Sequence, residues 1–364
     1  MKLKLLLLPL LIFAAGETRA GELTYEAGGS LRALYGYSDV SSRYQRYNDH
    51  NHTPAAGELN LSAGYSFNDD YALSLHFDLS GATDKEVENY NQGAWGEEVY
   101  GIFDSPYGRL MLGQTYNVAY QFGVGAPTAG PLKVNNSDIT DFIANPNWYN
   151  RDRNGIFKTL NSTDINTDGV AAKISYISPQ FYNSYLGFTY VPDSWNNAGL
   201  INRRAEYKNK SGYIFGAYNE SELAGFNITT SLGYARYEDI DREYSAGISI
   251  NRGNWTLGGS FRRTVAGSSD YALSLNDGFR EGKAWNIGLG YEFGPYKAAL
   301  SYFNSKADNS DNEDEIIQLA NSFQVNKYFD VYLTAARVDY KGSSREVEDN
   351  SKGWAFVGGV GFNF

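Results

Sequence analysis

Side chains able to carry chemistry are few in this 364-residue chain, which has three histidines, His50, His52 and His76, and no cysteine. Without cysteine there is no disulfide framework, no thiolate for zinc or an iron–sulfur cluster, and no thiol nucleophile. Hydrolysis by a serine would need a base, an orienting acid and an oxyanion hole brought together. His50 and His52 fall in the polar stretch after the first strand, and His76 sits among small residues in a strand pattern. No such grouping stands out, so no enzymatic activity is expected. Asp164-Ile165-Asn166-Thr167-Asp168-Gly169 resembles the start of a calcium loop, but the twelfth position is Ser175 where such loops need a bidentate Glu. The segment therefore reads as a turn before a strand, and no resident metal or cofactor is expected.

Charge and composition narrow the class. Lys and Arg total 31 against 42 Asp and Glu, for a net charge of -11, which argues against nucleic acid as a partner, since phosphate contacts need a basic surface. The first twenty residues, MKLKLLLLPLLIFAAGETRA, place two lysines before an apolar stretch from Leu5 to Ala15 and end on small residues around Arg19. This is the pattern of a secretory signal cleaved after Ala20; the apolar run is far shorter than the roughly 20 residues a membrane-spanning helix needs. The mature chain, residues 21–364, then carries 28 basic and 41 acidic groups, net -13.

The elements that would position any site are strands. In Tyr71 to Ser80, the residues Tyr71, Leu73, Leu75, Phe77 and Leu79 alternate with Ala72, Ser74, His76, Asp78 and Ser80, a period of two. Glu58 to Phe67 repeats the pattern, and Asn68-Asp69-Asp70 between them predicts a hairpin. The same alternation returns at Trp255–Arg262, at Trp285–Phe293 followed by the turn Gly294-Pro295, and at the C-terminal Trp354–Phe364. About sixteen such segments are predicted, joined alternately by short turns and longer polar loops.

Alternation suits either a soluble sandwich or barrel, with its apolar face inside, or a membrane barrel, with that face turned to lipid. The second set of positions separates them. It is built of Ser, Gly, Asn, Thr and Ala with scattered charges, not the Lys- and Glu-rich surface of a soluble β protein. Aromatic residues also gather at strand ends, as Tyr65 and Phe67, Tyr291 and Phe293, or Phe362 and Phe364, which is the interfacial girdle of a membrane barrel. The fold class is therefore all-β, a transmembrane antiparallel barrel of about sixteen strands.

Three motifs sharpen this reading: Tyr107-Gly108-Arg109-Leu110-Met111-Leu112-Gly113 at a hairpin, Ile174-Ser175-Tyr176-Ile177-Ser178-Pro179-Gln180-Phe181 at a later turn, and the terminal Gly361-Phe362-Asn363-Phe364. With them, nearly all of the mature chain resembles the general Gram-negative porins. That resemblance implies a trimer of sixteen-stranded barrels in the outer membrane, set among its lipid and lipopolysaccharide. It also implies a third long loop folded into the lumen, and Phe364 as the signal read by the assembly machinery. The acidic run Asp308, Asp311, Glu313, Asp314 and Glu315 would then be an outer loop, able to hold divalent cations loosely through lipopolysaccharide.

Residues 118–168 lie where the family's constricting loop falls, and so long a stretch without periodicity points to function. In such pores loop carboxylates face basic wall residues, and the field between them orients solutes and sets ion preference. Asp138 and Asp141 are the loop candidates. Strand parity places Arg32, Arg109, Lys173, Arg262 and Arg337 on the wall toward the lumen. The chain departs from the family's pattern at Gly113-Gln114-Thr115, where a basic residue is frequent, and it lacks the usual Pro-Glu-Phe-Gly run. The expected function is passive diffusion of small hydrophilic solutes and ions, with weak cation preference. Two alternatives stay open: a sugar- or anion-specific porin, with Tyr100, Tyr120 and Trp148 as aromatic candidates, and a non-conducting surface β protein, against which the lack of an exposed Lys-rich face counts.

Overall fold

The computed structural model describes residues 21–40, 51–82, 98–143, 145–147, 159–194, 211–238, 241–266, 281–308, 310–342 and 350–364. The signal expected at residues 1–20, His50 and Trp148 lie outside the described residues. Sixteen antiparallel strands form one sheet. The first five are β1 (Leu23–Val40), β2 (Ala55–Ser66), β3 (Ala72–Ala82), β4 (Glu98–Ser105) and β5 (Gly108–Gln114); a short piece at Asn51–His52 precedes β2 on the same partner. After a long irregular stretch come β6 (Ala172–Ile177), β7 (Ser184–Val191), β8 (Gly212–Leu223), β9 (Phe226–Tyr237) and β10 (Asp241–Arg252). Then follow β11 (Trp255–Ala266), β12 (Gly282–Phe293), β13 (Tyr296–Ala307), β14 (Glu313–Asn326), β15 (Phe329–Lys341) and β16 (Ser351–Asn363).

Each strand pairs with its neighbours in sequence, and β1 closes the ring. Its first half pairs with β2, from Leu23↔Tyr65 to Ala33↔Ala55, and its second half pairs with β16, from Ser30↔Asn363 to Val40↔Gly353. Closure leaves no sheet edge, so the ladders pair strand N–H and C=O groups around the ring without water, which is what a lipid environment demands. Local chemistry makes the tight turns at one end. Asn68 accepts the N–H groups of Asp70 and Tyr71 through its Oδ1 at 2.9 and 3.0 Å, and Gly294 takes φ 55° between β12 and β13. The strand ends from which the longer connections depart lie at the opposite end, the polarity expected of outer-membrane barrels.

The apolar alternation faces outward. Leu31, Leu75, Leu112, Leu232, Ile287, Leu300 and Leu333 are all exposed, at 49–61%, on the face that lipid would cover. The buried apolar residues lie inside the ring, where Phe303, Ile316, Val338, Tyr340 and Val357 of β13–β16 pack against Leu132, Ile139, Phe142 and Leu160 of the stretch between β5 and β6.

Candidate functional site

That stretch follows the inner wall in two passes. It starts with the one-turn helix α1 (Val118–Gln121), capped by Asn117, whose Oδ1 accepts the Tyr120 N–H at 2.9 Å. On the outward pass, wall side chains at middle height take its backbone one step at a time. Thr189 on β7 accepts the Val118 N–H at 3.1 Å, Ser231 on β9 that of Val124 at 3.1 Å, and Asn286 on β12 that of Ala126 at 3.0 Å. Ser301 on β13 then donates to the Pro127 carbonyl at 3.1 Å, and Gln318 on β14 to the Leu132 carbonyl at 2.7 Å. The return pass runs nearer the long-loop end. Asn147 donates to Asp314 at 2.7 Å, Thr159 donates to the other oxygen of that carboxylate, and Ser305 accepts the Leu160 N–H at 2.9 Å.

Glycine makes room for the outward pass. A methyl group added at Gly216 or Gly247 would collide with Val118 and Phe122 or with the Val124 carbonyl, and Gly187, Gly233 and Gly258 stand as close to the same segment. Register places Gly187 opposite Gly216, and Gly216 opposite Gly233, so the seat is a continuous groove in the wall. The inward Ser, Thr, Asn and Gly pattern that reads in sequence as the wall of a water-filled lumen is, over β7–β14, largely the seat of this segment.

The end of the segment is held by two buried ion pairs. Asp168 and Lys173 meet at 2.7 Å with both side chains wholly buried, and Asn117 at 2.6 Å and the Tyr237 hydroxyl at 2.7 Å also donate to Asp168. Arg262 meets Glu243 of β10 at 2.7 Å and reaches Asn166 and Thr167, each at 3.0 Å. Within the calcium-like sequence the side-chain oxygens of Asn166 and Asp168 are thus taken by protein cations and donors, and residues 167–170 form the turn that leads into β6. Lys173 and Arg262 do face inward as parity requires, but as anchors of the segment and not as free wall charges.

The other candidates separate in space. Arg32 faces inward and pairs with Glu58 on β2 at 2.7 Å, both partly exposed. It acts electrostatically on Asp138, which with Asp141 forms a single 3-10 turn of the inner segment. Burial pushes the Asp138 carboxyl up to about 7 despite a hydrogen bond from the Lys133 N–H at 2.8 Å, with Asp141 adding to the rise and Lys133 and Arg32 opposing it. Burial likewise raises Asp164 to about 6, against Arg262 and Lys133. Arg109 pairs with Asp104 at 2.7 Å beside the tight turn joining β4 and β5, away from this group.

Arg337 is a correction. It lies on the outer face, in register with Trp354 and with its guanidinium 6.0 Å from that ring. Parity fails here because the inner positions of β15 are themselves apolar, Val338 and Tyr340 being packed under the segment.

The wall of β2–β5 and of the first half of β1 is largely polar, whereas in the second half of β1 the Phe142 ring of the segment lies against Gly36 and Leu34 packs on the same cluster. His76 stacks on Tyr100 with centroids 4.9 Å apart and shares a 2.8 Å hydrogen bond with Ser74. Tyr120 instead stacks on Tyr116 at 4.1 Å within the segment. Sequence reasoning misses Glu243, Tyr237, Asn117 and Asn286. Glu243 carries a readable signal, a carboxylate at an inward position of a strand, which requires a cation nearby.

A closed antiparallel ring, apolar outside and polar or segment-lined inside, defines a transmembrane β-barrel of the outer-membrane type. The family model described as Gram-negative porin matches residues 10–343, and the chain belongs to that family. Among solved structures it is similar to Salmonella typhi OmpF in complex with daunomycin, at 13% identity and TM-score 0.64 over 93% of this chain and 97% of that one. An anion-selective porin from Comamonas acidovorans shares 16% identity at TM-score 0.58 over 94% and 100% of the two chains. In-vitro folded OmpT of Vibrio cholerae, in its trimer form, shares 10% at TM-score 0.60 over 94% and 99%. At these identities the likeness concerns the fold alone. No curated protein sequence matches the chain.

Proposed function

We propose that the protein is a passive diffusion channel for small hydrophilic solutes and ions, exported by a signal peptide at residues 1–20 and working as a homotrimer in the outer membrane, surrounded by its lipid and lipopolysaccharide. Residues 118–168 act as the constriction of the 21–364 barrel. The observation that carries the reading is the seating of that segment: it is tied along β7–β14 and packs on across β15, β16 and the second half of β1, while β2–β5 and the first half of β1 keep a largely polar inner wall. Solutes pass between the two, with Asp138 and Asp141 on one side and Arg32 on the other. No covalent step is involved.

Charge on the open wall supports weak cation preference. Glu58, Asp78, Glu98 and Asp104 face inward there against Arg32 and Arg109, and fixed wall charges bias a pore toward the opposite ion. A second reading, a sugar-selective channel with a saturable site, draws on the half-buried stacks His76–Tyr100 and Tyr116–Tyr120. Planar-bilayer recording of the purified protein separates the two. Large ohmic steps in threes, with a reversal potential of cation sign in a KCl gradient, are expected. Small currents blocked saturably by one oligosaccharide would favour the second reading, and no current from folded protein would remove both.

A further inference from the structure

Two rings stand in direct cross-strand register on the open wall of the lumen, His76 of β3 and Tyr100 of β4. Their planes lie within 11° of each other with centroids 4.9 Å apart, and the 2.8 Å hydrogen bond between Ser74 and His76 Nε2 holds the imidazole in that plane. Both residues are half-buried, so the stack is partly open to whatever passes through the lumen.

The next inward pair decides what such a stack would hold. One step toward the long-loop end, roughly 7 Å along the strands, Asp78 stands directly opposite Glu98. Both carboxylates act electrostatically on the Tyr100 hydroxyl, ahead of Arg109, which places them at the edge of the ring pair. Glu98 accepts from the Thr115 hydroxyl, at the root of the inner segment. On the far side, β2 sets the neutral Asn60 opposite Asp78 and Ser62 opposite His76. Among the described residues the cations of β1–β5 are Arg32, paired with Glu58 at 2.7 Å, and Arg109, paired with Asp104 at 2.7 Å.

Stacked rings alone would suit the apolar face of a sugar. Two carboxylates in a direct pair change the ligand class. Like charges directly opposite destabilise a sheet; a neutral sugar leaves that repulsion as it stands, whereas a cation between them relieves it. An aromatic face attracts a cation as well. A planar amidinium or guanidinium meets both demands, because it lies flat on a ring while its N–H groups donate in plane to carboxylates.

We infer that the His76–Tyr100 stack and the Asp78–Glu98 pair form a subsite for organic cations that carry a planar cationic group on an apolar body. The apolar body lies against the rings and the cationic group reaches the two carboxylates. The inference rests on the channel reading with cation preference and deepens it by naming a solute class; it also takes this ring stack away from the sugar reading.

The test titrates the folded protein in nonionic detergent with benzamidinium, with neutral benzamide of the same shape, and with maltotriose, reading the dissociation constant by calorimetry. Block of the K⁺ current by each probe is recorded separately in a planar bilayer. Benzamidinium is expected to bind and block saturably, with benzamide weaker roughly tenfold or more. Asp78→Asn with Glu98→Gln should lose that factor and move the reversal potential in a KCl gradient toward zero. Tyr100→Leu should weaken benzamidinium roughly threefold to tenfold while shifting the reversal potential less than the carboxylate variant does, a split that a plain charge filter would not give. Glu292→Gln, which faces Lys297 at a tight turn, should leave benzamidinium binding unchanged. Equal binding of benzamidinium and benzamide, or a Tyr100→Leu protein that binds benzamidinium as tightly as the parent, would overturn the subsite. Maltotriose binding tighter than benzamidinium, and lost in Tyr100→Leu, would overturn the cation in favour of a sugar. Should a variant not fold, the two isosteric probes on the parent protein decide the matter. Protein that binds benzamidinium but passes no current fails as a channel and keeps the subsite; protein that conducts with cation preference but does not bind benzamidinium keeps the channel and loses the subsite.

Discussion

Asp168 and Lys173 form an ion pair at 2.7 Å with neither side chain reaching solvent, at the point where the inner segment rejoins the wall. Desolvating two charges costs several kcal/mol, and the pair persists because the Asn117 amide and the Tyr237 hydroxyl complete the carboxylate's shell while the Thr115 and Gly169 carbonyls take up the ammonium. Removing one partner strands the other. Lys173→Met is expected to cost about 3–5 kcal/mol of barrel stability, whereas Lys173→Met with Asp168→Leu should recover much of that loss. Urea unfolding in detergent, followed by tryptophan fluorescence, measures both; a single variant as stable as the double would show that the pair does not hold the segment.

Close packing of backbone against backbone makes a separate prediction. Val124 lies over Gly247 with no space for a β-carbon, so Gly247→Val should push the segment off the wall without breaking the ladder of β10. Overpacking of this kind costs about 1–3 kcal/mol, and the displaced segment should alter single-channel conductance. Gly81→Ala, on the outer side of β3 where nothing lies within 4 Å of the added carbon, is the matched control and should leave conductance unchanged. Equal conductance in the two variants would mean that the segment does not narrow the pore.

Protonation of Asp138 should be visible as pH-dependent selectivity. Its carboxyl is pushed up to about 7, so it is neutral well below that pH and charged above it. Cation preference in a KCl gradient should therefore fall as pH drops from about 8 to about 6, and Asp138→Asn with Asp141→Asn should lower the preference and flatten the profile. Stability moves the other way. Because the folded-state value lies above the ordinary carboxylate value near 4, the folded protein holds a proton that the unfolded chain has lost between about pH 4 and pH 7, and stability declines as pH rises through that window. A reversal potential that ignores both pH and the double substitution would remove these residues from the constriction.

Legibility in the sequence follows the physics of each face. Lipid imposes one requirement everywhere, so Trp285, Ile287, Leu289 and Phe293 announce β12, and Leu73, Leu75 and Phe77 announce β3. The inner face answers to two environments. Where it is open to solutes, His76 and Tyr100 take the inward positions that alternation expects. Where the segment covers it, small polar residues serve as hydrogen-bond seats and Val338 and Tyr340 turn inward, which is what misplaces Arg337. Partners distant in sequence, such as Thr163 with Asn286 at 2.8 Å, leave no local trace, because nothing near either residue states the path of the segment. Glu243 and Arg262 were closer to being readable: both fall at inward positions of adjacent strands, with Glu243 opposite Thr264 and Arg262 opposite Ser245, which sets the two charges on diagonal neighbours.

The C-terminus offers a last separation of roles. Phe364 exchanges backbone hydrogen bonds with Gly29 at 3.0 Å in both directions, and its ring lies where a side chain on Gly29 would stand. The residue that resemblance to the porins marks as an assembly signal is thus also part of barrel closure. Phe364→Ala should cost about 1–2 kcal/mol, less than the range for a fully buried Phe because the ring is partly exposed. Gly29→Val should displace the ring and also press on the Glu58 carbonyl of β2, with a loss of comparable or greater size, while leaving the terminal residue intact for recognition. Refolding into detergent micelles, which contain no assembly machinery, should therefore be impaired by both variants, at least as much by Gly29→Val, whereas insertion in cells should be impaired more by Phe364→Ala. If the two keep their micelle order in cells, closure accounts for the whole effect and no separate signal is needed. If Phe364→Ala refolds in micelles as well as the parent protein, the ring serves recognition alone.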